Sequence, residues 1–224
     1  VKDGNLVITT AYFEDGLPTP EAYKGYFEKH PSDKDYKGGW YTGVVETRGK
    51  FEGLYGYYEC RAILPKSTGM WSAFWMQSPS IGARIEPEWA GIECDIMECF
   101  MSGKATTGNI MNGYGKQFAE DGRVKYDLEE TEDGFHTFGM DWREDGYVFY
   151  CDGKEISRCN QHVSHVPEFL LLTTEVQGYR SVKNGSFKRL GDGGEAVEPP
   201  FVIQGEFEDD AFICDYVRVF DKVN

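Results

Sequence analysis

The stretch that decides the fold reads Ile92-Glu93-Cys94-Asp95-Ile96-Met97-Glu98-Cys99-Phe100. It is short and mostly apolar, which is typical of a buried strand. Side chains alternate between the two faces of a strand, so Glu93 and Asp95 share a face and Glu98 would point the other way. One extra residue near Ile96-Met97, a β-bulge, rotates Glu98 back onto the acidic face. The remaining apolar side chains then all face the core, so they predict the bulge independently of any function: Cys94, Ile96 and Cys99.

The rest of the chain repeats this pattern of short strands separated by turn residues. Asp152-Gly153-Lys154 separates two apolar runs and predicts a tight hairpin. No amphipathic helix of ten or more residues is predicted, and the stretches 15–39 and 184–200 are predicted to be loops. With 224 residues and no linker, residues 1–224 are predicted to form one all-β domain, an antiparallel β-sandwich of the jelly-roll kind.

The composition limits the partners of this chain. Its formal net charge of −15 disfavours nucleic acid and anionic membranes as partners and suits a neutral substrate. No apolar run is long enough to span a membrane. The six cysteines include no CxxC pair, so mostly free thiols and no zinc site are expected. We expect a monomer.

Three carboxylates on one strand face can carry chemistry. Like charges raise at least one pKa, so one acid can stay protonated while another is ionised. A glycosidase needs this pair, and the close spacing of same-face acids on one strand favours the retaining mechanism over the inverting one. An exposed acidic face or a calcium site would give the same triplet. The tryptophans near the strand, Trp71, Trp75 and Trp89, favour a sugar-binding cleft.

The chain resembles glycoside hydrolase family 16, the family of laminarinases, lichenases, agarases and κ-carrageenases. The resemblance covers nearly the whole chain and rests on the bulged E-x-D-x-x-E strand and four further stretches. These are 55–66 (YGYYECRAILPK), 69–76 (GMWSAFWM), 135–142 (FHTFGMDW) and 215–220 (DYVRVF). It implies a concanavalin A-like lectin/glucanase fold with a concave substrate cleft.

The resemblance also implies roles for the three acids. Glu93 would be the nucleophile that forms a glycosyl-enzyme intermediate. Glu98 would be the general acid and then the general base, and Asp95 would hold the two charges apart. No cofactor is implied for catalysis.

Further site residues are expected from the same resemblance. Trp71, Trp75 and Trp89 would contact sugar, with a core position as the alternative for Trp75. His136 would support the acid strand or be a structural histidine. A structural Ca²⁺ would use Gly4 and Asp215. The family's usual first strand is missing before Asp3, which leaves that calcium site open.

Two departures from the family pattern concern the substrate. The histidine that many members carry on the strand after the acids is absent. Either Asn109 or Asn112 takes its contact, or the subsite differs. Glu175 and Arg180 favour a β-galactan, whereas the family as a whole favours β-1,3-glucan, so both substrates stay open. The expected activity is endo-hydrolysis, with a transglycosylase or a non-catalytic carbohydrate-binding module as alternatives. A polymer substrate implies an extracellular or periplasmic protein.

Overall fold

Two six-stranded antiparallel sheets dominate the computed structural model, which describes residues 1–13, 39–67, 70–112, 119–176 and 210–221 and four two-residue strands between 182 and 197. The elements are β1 (Leu6–Ile8), β2 (Ala11–Phe13), β3 (Gly39–Tyr41), β4 (Gly43–Glu46), β5 (Gly56–Ile63), β6 (Met70–Gln77), α1 (Pro87–Ala90), β7 (Glu93–Met101), β8 (Lys104–Met111), β9 (Ala119–Asp127), β10 (His136–Arg143), β11 (Gly146–Cys151), β12 (Lys154–Cys159), β13 (Phe169–Val176), β14 (Val182–Lys183), β15 (Ser186–Phe187), β16 (Arg189–Leu190), β17 (Ala196–Val197) and β18 (Phe212–Phe220).

The predicted antiparallel sandwich is confirmed. One sheet has the order β4-β13-β6-β7-β8-β9 and is called the acid sheet below; the other has the order β1-β18-β5-β10-β11-β12 and is called the outer sheet. Within the described residues, the four-residue α1 is the one helix, and none is long and apolar enough to cross a membrane. Three of the two-residue strands, β15 to β17, fall in the stretch 184–200 that was predicted as loop.

The predicted bulge lies in the centre of the acid sheet. Asp95 pairs with Trp75 and Met97 pairs with Phe74, so Ile96 is the extra residue opposite β6. On the other side, Asp95 pairs with Gly108 and Glu98 with Thr106. β7 has three strands on one side and two on the other, so the acid strand is central in its sheet.

The core lies between the two sheets. From β7 it receives the side chains predicted to face inward, Cys94, Ile96 and Cys99, together with Met97. The outer sheet contributes its fully buried aromatic side chains: Tyr58, Phe138, Trp142, Tyr147, Phe149 and Phe212. Close packing on one face of β7 leaves the opposite face for the acids, because a strand has only two faces.

Turn and cysteine chemistry follow the sequence. The hairpin between β11 and β12 turns at Asp152 and Gly153, whose φ angles of 49° and 74° are those of a type I′ turn. All six cysteines are buried free thiols, as expected, and the Cys60 and Cys214 sulfurs lie 3.5 Å apart.

Candidate active site

The three acids lie on the face of β7 that points away from the core, which we call the acid face. Residues paired across neighbouring strands point to the same face. The β8 partners of Glu93, Asp95 and Glu98 alternate along β8 with residues that face the core, so the three acids face away from it. The three side chains are buried nonetheless, with exposed fractions of 7%, 3% and 4%. Burial at this level makes the protonation of each acid depend on its immediate neighbours.

Glu93 begins β7 and is held by a neighbour on β6. Gln77 Nε2 donates a hydrogen bond to Glu93 Oε2 at 2.9 Å. An amide hydrogen bond to one carboxylate oxygen fixes the orientation of Glu93, which fits the nucleophile role expected for it. Gln77 was missed from the sequence, although its i+2 alternation with Trp75 places it on the acid face.

Glu98 has two donors, one for each carboxylate oxygen. Trp71 Nε1 donates to Oε1 at 3.0 Å, and Arg123 Nη2 donates to Oε2 at 2.8 Å. Burial raises the pKa of Glu98, while the Arg123 charge and the Trp71 hydrogen bond act in the lowering direction. A raised pKa favours the protonated form of the carboxyl group, which is the form that a general acid needs.

Asp95 lies between the other two acids. Burial is the main cause that raises its pKa well above the ordinary range, followed by the charges of Glu98 and Glu93. Arg123 lowers it in part, with Nη1 at 3.7 Å from Asp95 Oδ2. The position of Asp95 between Glu93 and Glu98 fits the role expected for it, which stays a prediction.

The predicted aromatic residues divide into two groups. Trp71 and Trp75 are half-buried on the acid face of β6, and Trp75 Nε1 donates to Thr173 Oγ1 at 3.1 Å. The core alternative for Trp75 is therefore wrong. Trp89 is on α1, 56% exposed, with its ring centroid 5.4 Å from that of His165. Its contact with sugar stays a prediction.

Glu175 joins the acid face from β13. It is the cross-strand partner of Trp71 and is half-buried. Its predicted companion Arg180 lies outside the described residues. Asn112 follows β8 directly with a φ of 64° and is half-buried, and its contact with sugar also stays a prediction.

Two predicted site residues face elsewhere. Asn109 pairs with the core-facing Cys94, is buried, and donates from Nδ2 to Cys159 Sγ at 3.2 Å. It therefore points into the sandwich, because one strand position separates it from the acid face. His136 is on β10 of the outer sheet, with Nδ1 2.8 Å from Asp152 Oδ2. These contacts fit the alternative that His136 is a structural histidine.

Of the two residues expected to hold calcium, Asp215 is already bound by a cationic side chain. Asp215 Oδ2 accepts a hydrogen bond from Arg61 Nη1 at 2.7 Å, and Arg61 also pairs with Asp133. A guanidinium bound to the carboxylate repels a second cation, so the arrangement of Gly4 and Asp215 does not fit a calcium site.

Arg123 is the second site residue that was missed from the sequence. It lies on β9, two strands away from β7, and its length lets the guanidinium reach Glu98. Gly108 on β8, the strand between β7 and β9, is the sequence feature that could have indicated it, because a glycine there leaves room for a long side chain.

A buried acid with a raised pKa beside a second carboxylate on one strand face is the kind of acid pair that glycosidases use. The chain belongs to the glycosyl hydrolases family 16, whose family model matches residues 20–189.

Known relatives and structures agree with this membership. The Endo-1,3-1,4-beta-glycanase ExsH of Rhizobium meliloti (strain 1021) is 29% identical over 197 residues, covering 87% of this chain and 37% of ExsH. A Beta-glucanase of Acetivibrio thermocellus is 28% identical over 140 residues, covering 62% of this chain and 40% of that protein. The catalytic domain of an endo-1,3-beta-glucanase (laminarinase) from Thermotoga petrophila RKU-1 has a TM-score of 0.66 and 26% identity, covering all of this chain and 80% of that structure.

The likeness to the laminarinase structure confirms the jelly-roll fold. The chain spans well under half the length of the curated relatives named above.

Proposed function

We propose that this chain is a retaining endo-hydrolase of β-glucan, with Glu93 as nucleophile and Glu98 as general acid and base. One observation carries the proposal: Glu98 is buried with a raised pKa on the same face as Glu93, which Gln77 holds separately. The two acids thus have different environments, which is how one carboxyl stays protonated while its neighbour is ionised.

In the first half of the reaction, a Glu93 oxygen attacks the anomeric carbon of the sugar. The bond from that carbon to the glycosidic oxygen breaks, and its electron pair goes to the leaving oxygen. Glu98 donates its proton to this oxygen, so the released chain leaves as a neutral alcohol. The product on the protein is a glycosyl ester of Glu93.

In the second half, water attacks the same carbon from the side the first chain left. Glu98, now ionised, accepts a proton from the water, and the ester bond to Glu93 breaks. Two inversions give net retention at the anomeric carbon, and both acids return to their starting states. A sugar hydroxyl in place of water would give transglycosylation from the same intermediate.

The substrate class is supported by the names of the relatives and by the aromatic residues of the acid face. ExsH is named an endo-1,3-1,4-beta-glycanase, and the Thermotoga petrophila structure is of an endo-1,3-beta-glucanase. Trp71 and Trp75 supply flat apolar surfaces of the kind that carry sugar-binding sites. A β-galactan is the second candidate, because Glu175 places an acid next to Trp71 on the same face.

The test is release of reducing ends from laminarin, mixed-linkage β-glucan and agarose, with product lengths analysed at early times. We expect the two glucans to be cleaved internally, giving a broad range of oligosaccharides, and agarose to be cleaved poorly. Glu93→Gln is the matched control and should release nothing above background. Equal inactivity of wild type and Glu93→Gln on all three polymers would refute the proposal; cleavage of agarose alone would establish the second candidate.

A polymeric substrate also supports a place outside the cytoplasm, and we propose that the protein acts extracellularly or in the periplasm as a monomer. Light scattering on the purified chain tests the second point. A mass near twice 25.4 kDa would contradict it.

A further inference from the structure

In the described part of the chain, one cation contacts the acids of the acid face, and it comes from a strand that is not adjacent to β7. Arg123 on β9 reaches across β8 and places Nη2 2.8 Å from Glu98 Oε2. The same guanidinium has Nη1 3.1 Å from Glu120 Oε1 and 3.7 Å from Asp95 Oδ2. The Arg123 side chain is 29% exposed, so its ion pairs are partly shielded from water.

Gly108 makes this reach possible. It pairs with Asp95 on one side, and its own position faces Arg123 on the other, where the β8–β9 register shifts. A Cβ added at Gly108 would lie 2.7 Å from Arg123 Cα and 3.0 Å from Arg123 Cβ. The φ of Gly108 is 151°, a conformation that residues with a side chain rarely adopt. Gly108, which has no side chain, therefore lies directly beneath Arg123.

The guanidinium is better placed to act on Glu98 than to bind an anionic sugar. It is already shared among three carboxylates, so an incoming sulfate or carboxylate would have to displace them. The hydrogen bond to Glu98 is the shortest of the three contacts, and it holds the oxygen that Trp71 does not hold. Each oxygen of Glu98 thus has one fixed donor, which sets the plane of the carboxyl group.

The other charged groups around Glu98 act in the opposite direction. Glu93 and Asp95 lie on its own strand, Glu120 lies beside Arg123 on β9, and Glu175 lies beyond Trp71 on β13. All four are acids and favour the protonated form of Glu98. Arg123 is the cation among these neighbours and favours the ionised form.

We propose that Arg123, seated over Gly108, is a positioning residue that makes Glu98 able to serve as base as well as acid. This inference rests on the proposed function. The first half-reaction needs protonated Glu98 and the second needs ionised Glu98, so a neighbour that favours the ionised form assists the second. Arg123 does not act on the sugar itself.

The test compares Arg123→Met with Arg123→Lys, which keeps the charge but not the two-pronged donor. Aryl β-glucosides of laminari-oligosaccharides with a good leaving group make the second half-reaction limiting, so their kcat reports on the base. For laminari-oligosaccharides themselves, whose sugar leaving group needs a proton, kcat/KM reports on the acid. In Arg123→Met we expect the basic limb of the kcat/KM profile to move up by about one pH unit or more. We expect kcat to fall by about 10- to 100-fold, since general base catalysis contributes about that much or more.

Two further variants complete the design. Gly108→Ala should move the basic limb in the same direction, because the added methyl displaces Arg123. Arg158→Met is the matched control: Arg158 pairs with Glu155 on β12 of the outer sheet and should leave both profiles unchanged. Arg123→Lys should restore the position of the basic limb with a smaller loss of kcat.

The outcomes separate this inference from others. An unmoved basic limb in an Arg123→Met variant that melts like wild type would overturn it, as would a rise in KM with kcat unchanged. If Arg123→Met does not fold, the profiles of Arg123→Lys and Gly108→Ala decide the question in the same way. If wild type itself is no more active than Glu93→Gln, the proposed function fails, and that result is distinct from a wild-type enzyme whose pH profile ignores Arg123.

Discussion

Glu168, directly before β13, is a fully buried acid that holds the backbone where β7 begins. Its Oε1 accepts the Ile92 N–H at 3.0 Å, and its Oε2 accepts the Cys94 thiol at 3.7 Å. These two contacts lie on either side of Glu93. Burial raises the pKa of Glu168 from 4.5 to about 8, although its hydrogen bonds with Ile92, Ser164 and Cys94 act in the lowering direction.

This raised pKa makes stability depend on pH. In the unfolded chain Glu168 loses its proton near pH 4.5, whereas in the folded chain it keeps the proton up to about pH 8. Between these values the folded state binds more protons than the unfolded state, so the free energy of unfolding falls as the pH rises. At about 1.4 kcal/mol for each unit of pKa, the full effect is about 5 kcal/mol, complete by about pH 8.

Glu168→Gln removes the ionisation and keeps the shape of the protonated acid. The amide oxygen can still accept the Ile92 N–H. We expect the variant to lie within about 1 kcal/mol of wild type at pH 5. At pH 8 we expect it to be more stable than wild type by several kcal/mol, up to about 5. Urea unfolding at pH 5, 6.5 and 8 measures the difference directly.

The difference between variant and wild type is the informative quantity, because the other buried acids titrate in both proteins. Glu130→Gln is the control, since Glu130 is an exposed acid. Its stability difference from wild type should be the same at all three pH values. If the Glu168→Gln difference is also constant with pH, the assignment of a buried, protonated Glu168 is refuted.

Three further predictions concern the site, the core and the metal. Glu93→Ala should lose turnover, and azide should restore release of the first product while giving a glycosyl azide of inverted configuration; a retained azide would contradict the nucleophile assignment. Trp142→Ala should destabilise the fold by about 3–5 kcal/mol in denaturant unfolding, because the ring is fully buried between Tyr58 and Tyr147; a loss under about 1 kcal/mol would contradict that packing. Chelation by EDTA should leave the melting temperature unchanged, because Arg61 already neutralises Asp215, and a clear drop would restore the calcium expectation.

Features fixed by local alternation were predictable from the sequence. The bulge near Ile96-Met97 followed from the spacing of the three acids and of the apolar residues between them, and the structure places it at Ile96. The tight hairpin followed from Asp152-Gly153, because tight hairpin turns need residues that tolerate positive φ, and the structure shows it to be of type I′. In both cases the deciding contacts lie within a few residues along the chain.

Features that depend on strand order were not predictable in the same way. Asn109 was assigned to the substrate, but its register with Cys94 turns it into the core, and a slip of one residue reverses this outcome. Arg123 and Gln77 were missed because each acts on an acid of another strand. The two alternatives for His136 stayed open because the sequence does not state which sheet its strand joins.

The bulge has a consequence for the length of the chain. Removing Ile96 would leave Glu93, Asp95 and Glu98 in plain alternation, with Met97 taking the inward position next to Cys94. All three acids would still face the same way, and the core would lose one aliphatic side chain. A one-residue deletion is therefore expected to be tolerated in the middle of the central strand of the sheet, whereas deleting Cys94 would turn its acidic neighbours onto opposite faces. Surface loops are the usual place for insertions and deletions. Here the bulge residue within the strand provides another position at which the chain length can change.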